Sequence, residues 1–203
     1  MTDRRQPGQR AGLSHADVLA AARQLLAERG LEALSMRALA ARLGVSPNAL
    51  YSHVESKTGL VDDLLDDTLA AVKAPDPDVK DPLEGLHALM ASTYEVLLVH
   101  AELVPAYLAR QGARGPNARR LGELMLALLQ RAGVTGPDAR EALHVLIVHT
   151  IGAAAFATRS PLTPDIPARA TEEDHRAEFD RGLQWLLTGI NAFARHEERL
   201  PSR

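Results

Sequence analysis

The stretch 35-SMRALAARLGVSPNALYSHVESK-57 holds three serine-headed helix starts and one glycine break in a space too small for a domain. A serine side chain can accept the amide two or three residues ahead, so Ser35, Ser46 and Ser56 each predict an N-terminus. Pro47, directly after Ser46, has no amide to lose at a first helical position. Gly44 permits a turn conformation closed to residues with a Cβ. The pattern therefore predicts a short helix with Leu39 and Leu43 inward, ended by Gly44, then a restart at Pro47. On the restarted piece Leu50 and Val54 share one side and can dock, with Val45, on Leu39 and Leu43. The other side carries Asn48, Ala49, Tyr51, Ser52 and Glu55. Ala40 is small enough for the two helices to cross closely. A helix held by one edge and open along the other, after a steep turn, is the helix-turn-helix arrangement, and its width suits the major groove of double-stranded DNA.

The flanks extend the pattern. Ser14 and Asp17 form a capping-box pair, and Val18, Ala22, Leu25 and Leu26 recur at helical spacing until Gly30. Ser56 heads a further helix from Lys57 to about Ala71 with the stripe Leu60, Leu64 and Leu65. On this helix Asp62-Asp63 and Asp66-Asp67 are expected on a wet face. The segment 73-KAPDPDVKDP-82 reads as the boundary between two structural units. Beyond it the turn signals delimit helices at Pro82–His100, Glu102–Gln111, Pro116–Ala132, Pro137–Arg159 and Thr171–Arg199. Pro105 is placed to kink or begin the second of these, and the proline-rich loop 160-SPLTPDIPAR-169 precedes the last. No strand-like alternation of useful length occurs. The expectation is an all-α chain of about nine helices: a flexible basic arm over 1–13, a helix-turn-helix domain over 14–57, a connecting helix over 58–72 and a C-terminal domain over 81–200.

Composition narrows the function. The 203 residues are 46% hydrophobic with few aromatics, which favours helix packed on helix. Absence of cysteine removes disulfides, zinc–thiolate sites and thiol nucleophiles. His144 and His149 lie on different helix faces with no carboxylate at ligand spacing, so no metal site and no cofactor are expected. The apolar run from Val145 to Ala157 is too short to cross a bilayer, and a cytoplasmic location without membrane contact is the default. The net charge is −3, but residues 1–60 hold eight Lys/Arg against five Asp/Glu, net +3, leaving −6 for the remainder. That asymmetry directs the first segment towards a polyanion.

The residues 34-LSMRALAARLGVSPNALYSHVESKTGLVDDLL-65 resemble the DNA-binding domain of the tetracycline-repressor (TetR) family of bacterial transcriptional regulators. The resemblance rests on "LAARLGVS", then "LYSHV", then Lys57 three residues after Val54, and covers residues 14–70. His53-Val54 stands where many relatives have an aromatic pair. The resemblance implies that Arg37, Pro47, Asn48 and Ala49 face the groove. It also implies that Tyr51, His53 and Lys57 bind phosphate, with Ser35 and Ser46 assisting and Ser52 on the same face. Because Pro47 and Ala49 offer no side-chain hydrogen bond, Arg37 to guanine and Asn48 to adenine are the obvious direct base contacts. Arg4, Arg5 and Arg10 form either a minor-groove arm or a solvated tail.

One such unit buries little surface on DNA, so a homodimer reading a palindromic operator is expected. Its interface is assigned to the last two helices: Ile151, Ala154, Ala155, Leu183, Leu186, Leu187, Ile190 and Phe193, forming a four-helix bundle with their symmetry mates as in the resembling family. The helices between are expected to enclose a pocket for a small, largely hydrophobic inducer, lined by Met90, Tyr94, Leu97, Tyr107, Met125, Leu129, His144 and Phe156. The resulting reading is a ligand-released repressor. Two others stand beside it. An enzyme finds no phosphate loop, no HExxH and no cysteine in its favour. A helical dimeric adaptor, or a DNA-binding regulator without a ligand, differs in what alanine at Arg37, Tyr51, His53 and Lys57 would do to DNA binding, and in its response to small molecules.

Overall fold

The computed structural model describes residues 13–158 and 171–197. The expected basic arm with Arg4, Arg5 and Arg10, the proline-rich segment 160–169 and the residues after Glu197, into which the last helix was expected to run, lie outside these. Among the described residues there are nine α-helices and no strand: α1 His15–Arg29, α2 Met36–Leu43, α3 Pro47–Leu50, α4 Lys57–Thr68, α5 Pro82–Val99, α6 Val104–Arg110, α7 Pro116–Arg131, α8 Gly136–Ala157 and α9 Glu172–Glu197. Short 3-10 turns at Leu31–Ala33, Leu69–Ala71 and Ala101–Leu103 join some of them. The chain divides into two compact units, Met1–Leu60 and Val61–Arg203.

In the first unit the helix starts are where the serines place them. Ser14 accepts the amide of Asp17 while the Asp17 carboxylate accepts the amide of Ser14 at 3.0 Å, a complete capping box. Ser35 accepts from Ala38 N, Ser46 from Ala49 N and Ser56 from Gly59 N. Gly44 closes α2 in the left-handed region (φ 66°, ψ 33°), where an L side chain is strained. Val18, Ala22, Leu25, Leu26, Leu34, Leu39, Ala40, Leu50 and Val54 form the buried core.

Glu55 was expected on the open side of α3, but that helix is a single turn of four residues. Tyr51, Ser52, His53 and Val54 are weak helix formers. The amides of His53 and Val54 both turn back to the carbonyl of Leu50, at 2.9 and 3.0 Å. The Ser52 hydroxyl also donates to the carbonyl of Ala49 at 2.7 Å, so the winding tightens and stops.

In the second unit α5 packs against α7, α8 and α9, while α8 also packs against α6, α7 and α9. Two expectations are corrected here. The segment 73–82 is not the boundary, because it is strapped onto the larger unit. Arg131 donates to the carbonyls of Pro77 and Val79, and the Lys73 amide donates to Ser92 Oγ at 2.8 Å. A Cβ on buried Gly85 would lie 2.8 Å from Val79 Cγ1. Nor do the aspartate pairs of α4 form a wet face. Asp62 holds the Arg110 guanidinium through two contacts of 2.7 and 2.6 Å. Asp66 is 5% exposed and caps α7, accepting from Ala118 N at 2.8 Å, Asn117 N at 3.1 Å and Asn117 Nδ2 at 3.2 Å. The residue before α7 is Gly115, which has no side chain with which to cap, and a Cβ there would collide with the Asp66 carboxyl.

The packing of α8 on α9 revises the expected dimer residues. Ile151, Ala154, Leu183 and Leu187 are buried within the single chain, and Leu186, Ile190 and Ala155 are partly covered. Of the assigned set only Phe193 is largely exposed. The outward stripe is instead Val145, Val148, Gly152 and Phe156 on α8 with Trp185, Gly189 and Phe193 on α9. Phe156 and Trp185 are 73% and 72% exposed. The apolar face of each helix is wider than one partner can cover, and the α8–α9 contact takes the leucines. No helix among the described residues is long and apolar enough to cross a membrane.

Candidate functional site

The first unit presents a continuous polar edge built by α2, α3 and the start of α4. Ser35, Arg37, Ser46, Pro47, Asn48, Tyr51, Ser52 and Lys57 are exposed, and Ala49 and His53 are half-buried. Leu50 and Val54 hold this edge from beneath at 0% and 3% exposure. The carbonyl of His53 lies 3.0 Å from His15 Nδ1, which ties the end of the α3 turn to α1.

Charge is sorted across the same unit. Arg42 forms a forked pair with Glu28, one contact at 2.7 Å, and its guanidinium holds the Glu28 carboxyl below the usual carboxylate range. Arg37 and Lys57 make no ion pair among the described residues and remain available to an anion. Both sit in the first turn of their helices, where the leading amides have no partner inside the helix and the dipole is positive. The Ser35 and Ser56 oxygens satisfy one amide each, leaving others directed outward. Cationic side chains, open amides and hydroxyls along one strip suit phosphate oxygens, and the short α3 between them suits the floor of a groove.

The second unit holds a partly open cavity of about 150 Å³ between α5, α6, α7 and α8. Met90, Leu97, Tyr107 and Met125, all assigned to a pocket from the sequence, line it together with Leu69, Leu121, Ile147 and Ile151. The other four assigned residues do not. Tyr94 is buried and stacks on Phe179, ring centroids 4.1 Å apart, and among the described residues its hydroxyl has no hydrogen-bond partner. Leu129 is wholly buried and does not reach the cavity. His144 and Phe156 face outward. Sequence reasoning missed Thr93, Gln111, Ala118, Gly122 and Thr150, which also line the cavity, and it placed Ile151 at the dimer interface. A signal was there: 90, 93 and 97 on α5, 118, 121, 122 and 125 on α7, and 147, 150 and 151 on α8 are each single-face helical spacings.

The cavity is tied to α4 by side chains that line or flank it. The Tyr107 hydroxyl donates to the carbonyl of Leu65 at 2.5 Å, and burial pushes its pKa well above the ordinary tyrosine value. Arg110, one turn on, holds Asp62, and Ala118, whose amide Asp66 caps, lines the opposite wall. Among the described residues no group of three or more His, Asp or Glu side chains gathers as a metal site.

The chain is similar to known bacterial regulators. The sequence profile described as "Bacterial regulatory proteins, tetR family" matches residues 18–64. An HTH-type transcriptional regulator of Saccharopolyspora erythraea is 30% identical over 204 residues, covering 90% of this chain and 86% of that one. The crystal structure of Mycobacterium smegmatis BioQ is 30% identical with a TM-score of 0.74, covering 89% of this chain and 99% of that one. BioQ has also been solved with its natural double-stranded DNA operator (29% identity, TM-score 0.68, covering 89% and 99%). Streptomyces coelicolor ActR in complex with actinorhodin is 25% identical, with a TM-score of 0.76, covering 91% of this chain and 99% of that one.

Proposed function

Because the chain belongs to the tetR family of bacterial regulatory proteins, we propose that it is a repressor. Two copies bind a palindromic operator and are released from it by a small, largely apolar ligand. The observation that carries the DNA reading is the exposed strip of Arg37, Asn48, Tyr51 and Lys57, anchored from beneath by buried Leu50 and Val54. On this reading Arg37 and Asn48 read bases, Pro47 and Ala49 pack in the groove, and Ser35, Ser46, Tyr51, Ser52, His53 and Lys57 position the backbone. The solved complex of BioQ with its operator supports double-stranded DNA as the partner.

Dimerisation is supported by the stripe of Val148, Phe156, Trp185 and Phe193, too large and apolar to leave in water. Apposed across a twofold axis, α8 and α9 of two copies make a four-helix bundle. The two reading edges then meet half-sites about one helical turn apart, or a multiple of it. The cavity and the solved complex of ActR with actinorhodin support a ligand. Its effect travels through α4, which starts with Lys57 and ends among Tyr107, Arg110 and the α7 cap. A ligand that displaces α6 or the start of α7 shifts α4 and with it Lys57. The coupling is reciprocal, so operator DNA weakens ligand binding by the same factor.

The test is a fluorescence-anisotropy titration against DNA from immediately upstream of the protein's own gene, with unrelated DNA of equal length as control, at several salt concentrations. Tight binding of the upstream fragment alone, at two chains per site, is the expected result. Equal binding to both fragments that vanishes at moderate salt would reduce the interaction to backbone attraction and defeat the assignment of that fragment as operator.

A further inference from the structure

The cavity wall determines more about its ligand than that it is apolar. None of the fifteen residues lining it carries a charge. A carboxylate or phosphate lodged among the apolar lining would lose hydration with no cation to replace it, and that cost disfavours anions there. The hydroxyls of the wall are also already committed as donors. Thr93 Oγ1 donates to the carbonyl of Leu89 at 2.8 Å, Thr150 Oγ1 to the carbonyl of Leu146 at 2.9 Å, and Tyr107 to the carbonyl of Leu65. Each hydroxyl oxygen keeps a lone pair, so towards a ligand these three groups act as acceptors. The remaining polar side chain is Gln111, an exposed residue ending α6 with a positive φ of 55°. The volume of about 150 Å³ matches that of apolar cavities that take benzene-sized molecules.

Resting on the reading of the second unit as ligand-binding, we infer that the cavity takes a compact, uncharged, mostly apolar molecule. It carries one hydrogen-bond donor, an N–H or O–H aimed at Thr93 or Thr150, and it is not an anion. The chemistry fits a one- or two-ring heteroaromatic or phenol-like compound. A fatty acid, an acyl thioester with its phosphates or a sugar phosphate does not fit.

Gly122 supplies a clean blocking variant. It lines the cavity, and a Cβ there meets nothing within 4 Å, so a larger side chain has room to enter without displacing the wall. Gly122→Leu also replaces a poor interior helix former with a good one, which favours α7. Isothermal titration calorimetry of the full chain with four probes tests the inference: indole, its oxygen analogue benzofuran, indole-2-carboxamide and indole-2-carboxylate. The expected results are binding of indole, three- to tenfold weaker binding of benzofuran for want of one donor, and binding of the carboxamide at least tenfold tighter than the carboxylate. Gly122→Leu should lose indole binding while melting no lower than the parent. Thr150→Val should narrow the gap between indole and benzofuran if Thr150 is the acceptor, and Thr93→Val if Thr93 is. The inference is overturned if the carboxylate binds as well as the carboxamide, if benzofuran equals indole, if folded Gly122→Leu still binds, or if no neutral probe binds. The titration uses no DNA, so its failure is separate from failure of the operator experiment.

Discussion

Removing the carboxylate of Asp66 isolates the joint between α4 and α7. Asp66 is 5% exposed and accepts two α7 amides, Asn117 N and Ala118 N, as well as the Asn117 side-chain amide. Gly115 provides no substitute cap. In Asp66→Ala, loss of the cap costs about 0.5–2 kcal/mol. Leaving a buried donor unsatisfied adds about 1–3 kcal/mol, offset where water reaches the vacated space. A total of about 2–4 kcal/mol follows, which lowers the melting temperature by roughly 4–16 °C for a chain of this size. Asp66→Asn keeps one acceptor oxygen but turns an amide NH2 against the other α7 amide and loses the charge facing the helix dipole, so it should cost about 1–3 kcal/mol. Urea unfolding followed by far-ultraviolet circular dichroism, at one fixed protein concentration because dimerisation is linked to folding, measures both. An Asp66→Ala protein within about 0.5 kcal/mol of the parent, inside the range of ordinary surface substitutions, would refute the cap as a structural joint.

Lys57→Gln should weaken operator binding and flatten its salt dependence by a log–log slope of about 1.8, because two copies each lose one phosphate contact of about 0.9. A change near 0.9 would mean one copy per site, and none would remove Lys57 from the contact. Phe156→Glu with Trp185→Glu should turn a dimer into a folded monomer in sedimentation velocity, whereas a parent chain that is already monomeric refutes the interface. Gly44→Ala places a Cβ in the left-handed region and should cost about 1–2 kcal/mol in chemical unfolding, with no cost if the turn is loose. The Ser14 hydroxyl and amide hold the Asp17 carboxyl below its ordinary value. A depressed folded-state pKa makes this cap most effective above the unfolded value and loses its contribution as pH falls through the folded one. Hydrogen exchange should therefore show the Ser14 amide, which donates to that carboxylate, losing protection below about pH 4, and protection unchanged down to pH 2 would count against the capping box.

The sequence by itself determined the helices of the first unit, because their signals are local. A hydroxyl three residues from the amide it accepts, a proline with no amide to lose and a glycine free of Cβ strain act within one turn. Ser14, Ser35, Ser46, Ser56, Pro47 and Gly44 therefore read correctly without a fold. The polar edge was legible for the same reason: once Leu50 and Val54 are placed inward, Asn48, Tyr51 and Ser52 have nowhere else to go. What tertiary structure alone decided was the partner of each remaining group. Nothing in the spacing of α4 distinguishes an aspartate in water from one closing a helix fifty residues away, and Asp66 became a cap because α7 begins at a glycine. Helical periodicity likewise shows that α8 and α9 are apolar on a wide face. It cannot divide that face between a partner in the same chain, which takes Leu183 and Leu187, and the outside, which receives Trp185 and Phe156. The cavity belongs to the same class, since it is a space left between four helices whose distances no single helix encodes.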